Sequence, residues 1–337
     1  MRRGMTGEGR LTGICFLLMT LAGWASSPLF LKYFVGKIDA WSSNGWRYGI
    51  AALFWLPIVI REITATEASP GLWRAALWPT LFNATGQICF AWVLYLNVDP
   101  GMMTFLLRTQ IVAATIGAFA LFPDERGLMY RRGYWFGMVL VVGGIASMIL
   151  LRAEMPVRPG TLGMILGILS GALFGGYALA VRRCMSGYSS MTSFAVISLY
   201  TAIALMVPML LLGDEHGLIV RHLNGFQLMM LVISALAGIA LGHVFYYASI
   251  ARLGVALASG ILLLQPFVTA SASAVLYGER LTGKQWISGT LSVIGAVLLL
   301  YVQTHHPRGA GARSLIPLRG VKGKQESGSN AIGQETL

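Results

Sequence analysis

Charge is what this 337-residue chain has least of: 11% of its residues are Asp, Glu, Lys or Arg, 56% are hydrophobic, and the mean hydropathy is +0.69. A soluble protein of this length needs more charge to cover its surface, so the soluble globular classes are excluded. Cysteine is scarce as well. Cys15, Cys89 and Cys184 each fall in or beside an apolar segment without a CxxC pair, and neither a disulfide framework nor a metal site is expected. There is no GxxxxGK[ST] phosphate loop and no HExxH motif, and His305-His306 fall beyond the last apolar run; ATP hydrolysis and zinc chemistry are therefore not expected. No Asp or Glu lies in the middle of an apolar run, because Asp99, Asp124, Glu125 and Glu279 sit at ends or in loops. An exporter of lipophilic cations usually needs such a carboxylate to hold the cation and exchange it for protons, so that class is disfavoured.

What is present is apolar length. Runs of roughly 20 residues, each able to cross about 30 Å of hydrocarbon as a helix, recur at 11–31, 41–60, 75–96, 101–122, 133–151, 160–181, 191–212, 226–250, 254–277 and 285–303. A transmembrane barrel would need short alternating segments instead of continuous blocks. The chain is thus predicted to be an all-α integral membrane protein of about ten transmembrane helices. Arg2, Arg3 and Arg10 before the first run imitate a signal peptide, but the many spans that follow mark a retained first helix. The net charge of +12 resides mostly in loops and tails, where it reports orientation and not a nucleic-acid partner. Of the 25 basic residues, 16 fall on the side of the termini and 7 on the other, which predicts cytoplasmic termini in a plasma membrane, the inner membrane if the source is bacterial. The tail from about residue 304 is rich in Gly, Ser, Arg and Lys and is expected to be disordered.

The two halves repeat. PGMMTFLLRTQIV and the run up to Leu151 align with VALASGILLLQPFV and the run up to Tyr301: Gln110 falls on Gln265, Glu125-Arg126 on Glu279-Arg280, Gly137 on Gly289 and Gly143 on Gly295. An odd number of spans per copy makes the second copy enter the membrane from the opposite side, the inverted-repeat plan of secondary transporters. The expected organisation is a cytoplasmic tail (1–10), a first five-helix repeat (11–151), a second five-helix repeat (160–303) and a C-terminal tail (304–337).

At these residues the sequence resembles the EamA-type proteins of the drug/metabolite transporter superfamily. The likeness spans residues 12–302 and is most specific at Gln265-Pro266, Gly278-Glu279-Arg280 and Gly289. It implies a ten-helix, inverted-repeat exporter or permease of small metabolites. The first half departs from the pattern, with Ile111 opposite Pro266 and Asp124 opposite Gly278.

Polar groups inside spans are costly, so function is expected where they occur. At 1.5 Å per residue, Arg108 and Gln110 lie about 12 to 15 Å deep, Gln265 about 16 Å and Gln87 about 18 Å, a polar girdle near mid-bilayer. Arg108 is the foremost candidate, because a cation at that depth needs a counter-ion, a carbonyl cage or water; packing alone is the alternative. Thr104, Arg108 and Thr115 share a face expected to line an aqueous cavity, and Gln110, about 200° around the helix, is assigned to an inter-helix contact. Arg47, beside Trp46 and Tyr48, reads as an interface anchor or a ligand contact. His243 with Tyr247, and Asn83 with Gln87, are pairs one turn apart that bond either a solute or a neighbouring helix. Trp24 and Tyr177 occupy corresponding places in the two halves and are ligand contacts or packing aromatics. Pro266 is expected to kink the ninth helix, and Gly163, Gly167, Gly171 and Gly175 form a close-packing stripe.

The substrate-binding expectation is therefore Arg108, Gln87, Asn83, His243, Tyr247, Gln265, Trp24, Tyr177 and Arg47. The leading function is a secondary carrier exporting a small amino-acid-like or anionic metabolite by alternating access. Multidrug efflux is the alternative within the superfamily, and an intramembrane lipid-modifying enzyme or a substrate-free scaffold are the alternatives of other classes. No cofactor is expected. The expected partners are a small-molecule substrate and the lipid bilayer, with proton coupling through His243 and a homodimer as open expectations.

Overall fold

The computed structural model describes residues 7–65, 69–151 and 160–305, so the first six residues and the C-terminal tail lie outside the described residues. Ten long helices dominate, with no strand among the described residues: α1 Gly7–Phe34, α2 Ala40–Thr64, α3 Leu77–Tyr95, α4 Pro100–Leu121, α5 Arg132–Leu150, α6 Thr161–Cys184, α7 Ser190–Leu212, α8 Gly225–Leu253, α9 Leu257–Tyr277 and α10 Gly283–Thr304. Eight are long and apolar enough to cross a membrane on composition alone. The other two, α2 and α3, are diluted by polar residues that they turn inward: Ser42, Ser43, Asn44 and Arg47 of α2 and Asn83 of α3 are buried. Outward-facing positions carry large apolar side chains such as Leu53, Val139, Leu211 and Val275. That distribution suits lipid, where only helices with internally satisfied backbones can span.

Helix starts follow from capping chemistry. Asp39 accepts from the backbone N–H of Ser42 ahead of α2, and Asn224/Gln227 and Thr282/Gln285 form reciprocal capping boxes ahead of α8 and α10. Each such cap is worth about 1 kcal/mol of helix stability.

The second half is the first turned over. Gly45 and Gly49 of α2 face Met209 and Met206 of α7, so that rising numbers on one helix meet falling numbers on the other. Likewise Gly137 and Gly144 of α5 face Gly295 and Ser288 of α10. Corresponding helices therefore run antiparallel. The first helix of each half is exchanged: α1 packs on α8 and α9, and α6 packs on α3 and α4. The glycine stripe of α6 explains the second contact, since Cβ atoms at Gly167, Gly171 and Gly175 would meet Leu106, Thr109 and the carbonyl of Gln110 at under 3.0 Å.

Two helices are interrupted at mid-length. In α4, Arg108, Gln110 and Ile111 donate to the carbonyls three residues back instead of four, and in α9 Leu263, Leu264 and Phe267 do the same. Each is a single tightened turn that splits its helix into an N-terminal and a C-terminal piece. Pro266, in the first turn of the second piece of α9, has no N–H to continue the regular ladder, which accords with the predicted kink. The N-terminal piece of α4 and the C-terminal piece of α9 touch closely, a Cβ on Gly101 lying 2.8 Å from that of Ala270.

Adjacent glycines on α5 test the helix-crossing account. A Cβ at Gly144 would fall 2.6 Å from the Ser288 carbonyl oxygen, whereas at Gly143 it meets nothing within 4 Å. Gly144→Leu is expected to destabilise the detergent-solubilised protein by about 1–3 kcal/mol, read as a lowered apparent Tm, with Gly143→Leu near wild type. Equal Tm values for the two variants would refute this crossing.

Candidate functional site

The two mid-helix breaks face a cavity of about 340 Å³. Six of the nine expected residues line it: Trp24 from α1, Asn83 and Gln87 from α3, Tyr177 from α6, His243 from α8 and Gln265 from α9. Arg108 lines an adjoining lobe of about 280 Å³ that shares Trp24, Gln110, Tyr246 and Gln265 with the first. Tyr247 lines a further lobe with Tyr177 and Phe194. Arg47 lies behind the wall.

The side chains are held as follows. Arg108 is 4% exposed; its guanidinium donates to the Thr104 carbonyl and to Gln265 Oε1, both at 3.4 Å. Those are long bonds for a group with five donors, and among the described residues no carboxylate pairs with it. Gln265 is fixed in turn by donating Nε2 to the Trp24 carbonyl at 3.1 Å. A buried arginine at helix centre costs about 2.5–3.5 kcal/mol, so Arg108 retains unused donors in an unfavourable place. Arg47 is similarly buried but better satisfied, donating to Ser234 Oγ at 3.0 Å and to Ser27 Oγ at 2.8 Å. It does not snorkel to an interface. Because Ser27 lines the cavity, Arg47 reaches the site through one hydroxyl.

His243 follows a seven-residue stretch, Ala235–Leu241, wound as a π-helix; such widened turns often mark functional sites. Its Nδ1 lies 2.8 Å from the Ile239 carbonyl, which makes Nδ1 the protonated nitrogen and leaves Nε2 an acceptor in the neutral ring. The imidazole stacks on Phe194, ring centroids 3.9 Å apart, and tilts against Trp24 at 5.2 Å. Asn83 donates to Thr201 Oγ1 at 3.0 Å. Ser198 Oγ borders the cavity without a protein partner.

Helical counting misplaced some neighbours. Gln110 lines the central cavity and two of its lobes instead of serving only an inter-helix contact, because the lobes lie on both sides of the broken α4 and wet opposite faces. Thr104, expected on the wet face, is buried and donates to the Gly101 carbonyl, whereas Thr115 accepts from Tyr134 and lines the lobe that it shares with Gln110 and Glu125. Tyr48, Tyr246, Phe90, Phe174 and Phe194 also line the cavity. Of these only Tyr246 carried a local signal, three residues from His243 on the same helix face.

The lobes lead toward the face where α1 begins and α10 ends. Their linings run to Arg182, Ser186 and Tyr188 at the end of α6, to Glu125 after α4, and to Gln303 near the end of α10. The opposite face is shut. There Tyr277 OH donates to the Leu29 carbonyl, Tyr95 OH to that of Ile38, Trp46 Nε1 to that of Gly217, and Lys32 pairs with Glu279.

Comparison with known proteins agrees with this arrangement. The model of the EamA-like transporter family matches the chain twice, over residues 11–150 and 161–301. An uncharacterized protein of Pseudomonas aeruginosa is 28% identical over 264 residues, covering 78% of this chain and 84% of the relative. The uncharacterized transporter YwfM of Bacillus subtilis is 23% identical over 66% of this chain and 73% of its own length, and an uncharacterized transporter of Haemophilus influenzae is 22% identical over 86% and 94%. One solved structure, described only as the crystal structure of a protein, superposes with a TM-score of 0.58 at 15% identity, over 88% of this chain and all of the other; that likeness is one of fold.

Ala178 is exposed where three of the lobes meet. With Cys15, Cys89 and Cys184 replaced by serine, Ala178→Cys is expected to react with a membrane-impermeant maleimide added on the side of the termini and to be protected from the other side. Labelling from the opposite side alone would contradict the described opening.

Proposed function

The chain belongs to the EamA-like transporter family, within the drug/metabolite transporter superfamily, and from that premise we propose that this multi-pass secondary transporter exports a small amphipathic metabolite bearing a carboxylate or similar anionic group. The observation that carries the proposal is the guanidinium of Arg108, deep in the protein, bordering a cavity lobe, with two long hydrogen bonds and no acidic partner among the described residues. A carboxylate arriving at that lobe would receive charge-assisted, bidentate bonds and relieve the cost of the buried cation. Gln265, Gln110, Asn83 and Gln87 supply neutral donors and acceptors around it, while Trp24, Tyr246, Phe90, Phe174 and Phe194 supply apolar and aromatic surface for the rest of the solute. Among the described residues the central lining holds no Asp or Glu, which favours an anion or an amino-acid-like zwitterion over the lipophilic cations of multidrug efflux.

Alternating access supplies the mechanism. The cavity lies between two halves of opposed direction, reaches one face and is closed at the other. With both termini cytoplasmic, the open face is the one from which an exporter loads. Solute binding at Arg108 would draw the pieces of α4 and α9 together on that side, and the mirror motion would part them on the other.

Counterflow of radiolabelled amino and organic acids into proteoliposomes tests the site. Arg108→Ala is expected to weaken apparent affinity for carboxylate-bearing solutes by about ten- to a hundredfold, the worth of charged hydrogen bonds, and Arg108→Lys to recover part of it. Unaltered affinity for every carboxylate solute in Arg108→Ala would remove the assignment.

A further inference from the structure

One stretch of the termini face sets exposed cations beside exposed aromatic rings. Beyond α4 the chain winds into a short 3₁₀ helix, Pro123–Tyr130, and enters α5 at Arg132. The junction is pinned from both sides. Arg126 donates Nε to the Phe119 carbonyl at 3.0 Å, and Trp135, in the first turn of α5, donates Nε1 to the Met129 carbonyl at 2.8 Å. Leu128 is buried beneath it, while Met129, Tyr130, Arg131, Arg132, Trp135 and Phe136 stand exposed, Tyr130 by 88%. From Met129 to Phe136 the sequence has two arginines and no acid. Among the described residues no carboxylate pairs with either arginine, and Glu125, earlier in the 3₁₀ helix, pairs with Arg182.

Register along α5 shows what surrounds these cations. Arg132, Trp135, Phe136 and Val139 fall at i, i+3, i+4 and i+7 and so share one helix face. Below the arginine that face is apolar and exposed, a stripe that suits lipid. Tryptophan at the end of such a stripe marks the depth of the headgroups, and Arg131 and Arg132 lie one turn beyond it. The inverted repeat does not reproduce the arrangement. With Gly137 on Gly289, Arg131-Arg132 fall on Gly283-Lys284 and Trp135-Phe136 on Ile287-Ser288, and Ser288 is buried in the crossing with Gly144. The combination of paired arginines and exposed rings is thus a feature of the termini face.

We propose that Arg131 and Arg132, with Tyr130 and Trp135 beside them, bind the headgroup of an anionic phospholipid in the leaflet on the side of the termini. Guanidinium groups match phosphate oxygens with paired charge-assisted bonds, and the amphipathic rings fit the boundary between headgroup and chain. Met129 and Phe136 offer apolar surface to the acyl chains. A zwitterionic lipid presents the same phosphate together with its own cation, so it is bound less well. Anionic lipid is the occupant expected of a cytoplasmic leaflet, in keeping with cytoplasmic termini. The 3₁₀ helix that leads into this site also carries Glu125, which borders an open lobe together with Arg182, so a bound lipid anchors the rim of the mouth. The site is independent of what Arg108 binds.

Native mass spectrometry of the full chain in detergent, titrated with short-chain phosphatidylglycerol, tests the site. Phosphatidylcholine of the same chain length and inorganic phosphate are the parallel probes. Phosphatidylglycerol is expected to be retained in preference to phosphatidylcholine and not to be displaced by inorganic phosphate. Arg131→Gln and Arg132→Gln should each weaken its retention by about fivefold and together by about twenty-five-fold, whereas the double lysine variant should keep most of it. Arg61→Gln, which removes another exposed cation of the same face, should bind as wild type does. Equal retention of the two lipids by the wild-type protein, undiminished retention in the double glutamine variant, or an equal loss in Arg61→Gln would each overturn the site. Displacement by inorganic phosphate would assign the arginines to a free anion instead and overturn the lipid as occupant. Failure of the Arg108 assignment would show in solute counterflow, with lipid retention unchanged.

Discussion

Hydrocarbon tolerates an interrupted helix only where protein or water supplies what the backbone has lost, and this molecule interrupts two helices at the same relative place. The tightened turns at Arg108 in α4 and at Leu263-Leu264 in α9 border the cavity lobe through Arg108, Leu263 and Gln265, while Leu264 points outward. Much else follows from keeping them there. Glycines on α6 let it approach α4 to backbone contact, and Thr109 spans the break, its hydroxyl 2.9 Å from the Leu106 carbonyl and from that of Ile168 on α6. Gln265, at the other break, ties α9 to α1 through the Trp24 carbonyl and reaches Arg108 across the interface. The cavity is the space that these interrupted helices leave on the side where they diverge.

Exchange of the first helices makes the two halves mechanically dependent. Because α1 belongs by sequence to the first half but packs on α8 and α9, and α6 belongs to the second but packs on α3 and α4, each moving group contains helices of both repeats. The ion pairs Lys32–Glu279 and Arg182–Glu125 fasten each exchanged helix to its host. Partly exposed pairs of this kind contribute little to stability by themselves, and their role is better understood as fixing register. Antiparallel contacts through Gly45, Gly49, Gly137 and Gly144 join the groups with small surfaces, as expected where association depends on close packing and not on hydrophobic burial.

The polar residues separate into two kinds. Arg47 and Thr104 spend their hydrogen bonds within the bundle, whereas Arg108, His243 and Ser198 belong to the lining of the cavity or its lobe and have fewer protein partners than their polar groups can use. Depth alone does not distinguish them. Arg47 and Arg108 are both buried cations, and the difference is that two serines converge on the first while the second has only an amide and a carbonyl at 3.4 Å.

Apolar periodicity and length were enough to establish an all-helical membrane protein with repeated halves, because a bilayer imposes one span length and one way to satisfy the backbone. Matched Gln, Glu-Arg and Gly positions carried the family resemblance, and the depth of Gln87, Arg108 and Gln265 located a polar layer. Which of those side chains meet was not legible, since it depends on helices distant in sequence: Arg108 finds Gln265 across 157 residues and Gln265 finds Trp24 across 241. Nor could regular helical counting place Gln110 or Thr104 correctly around a helix that is broken and flanked by open space on two sides.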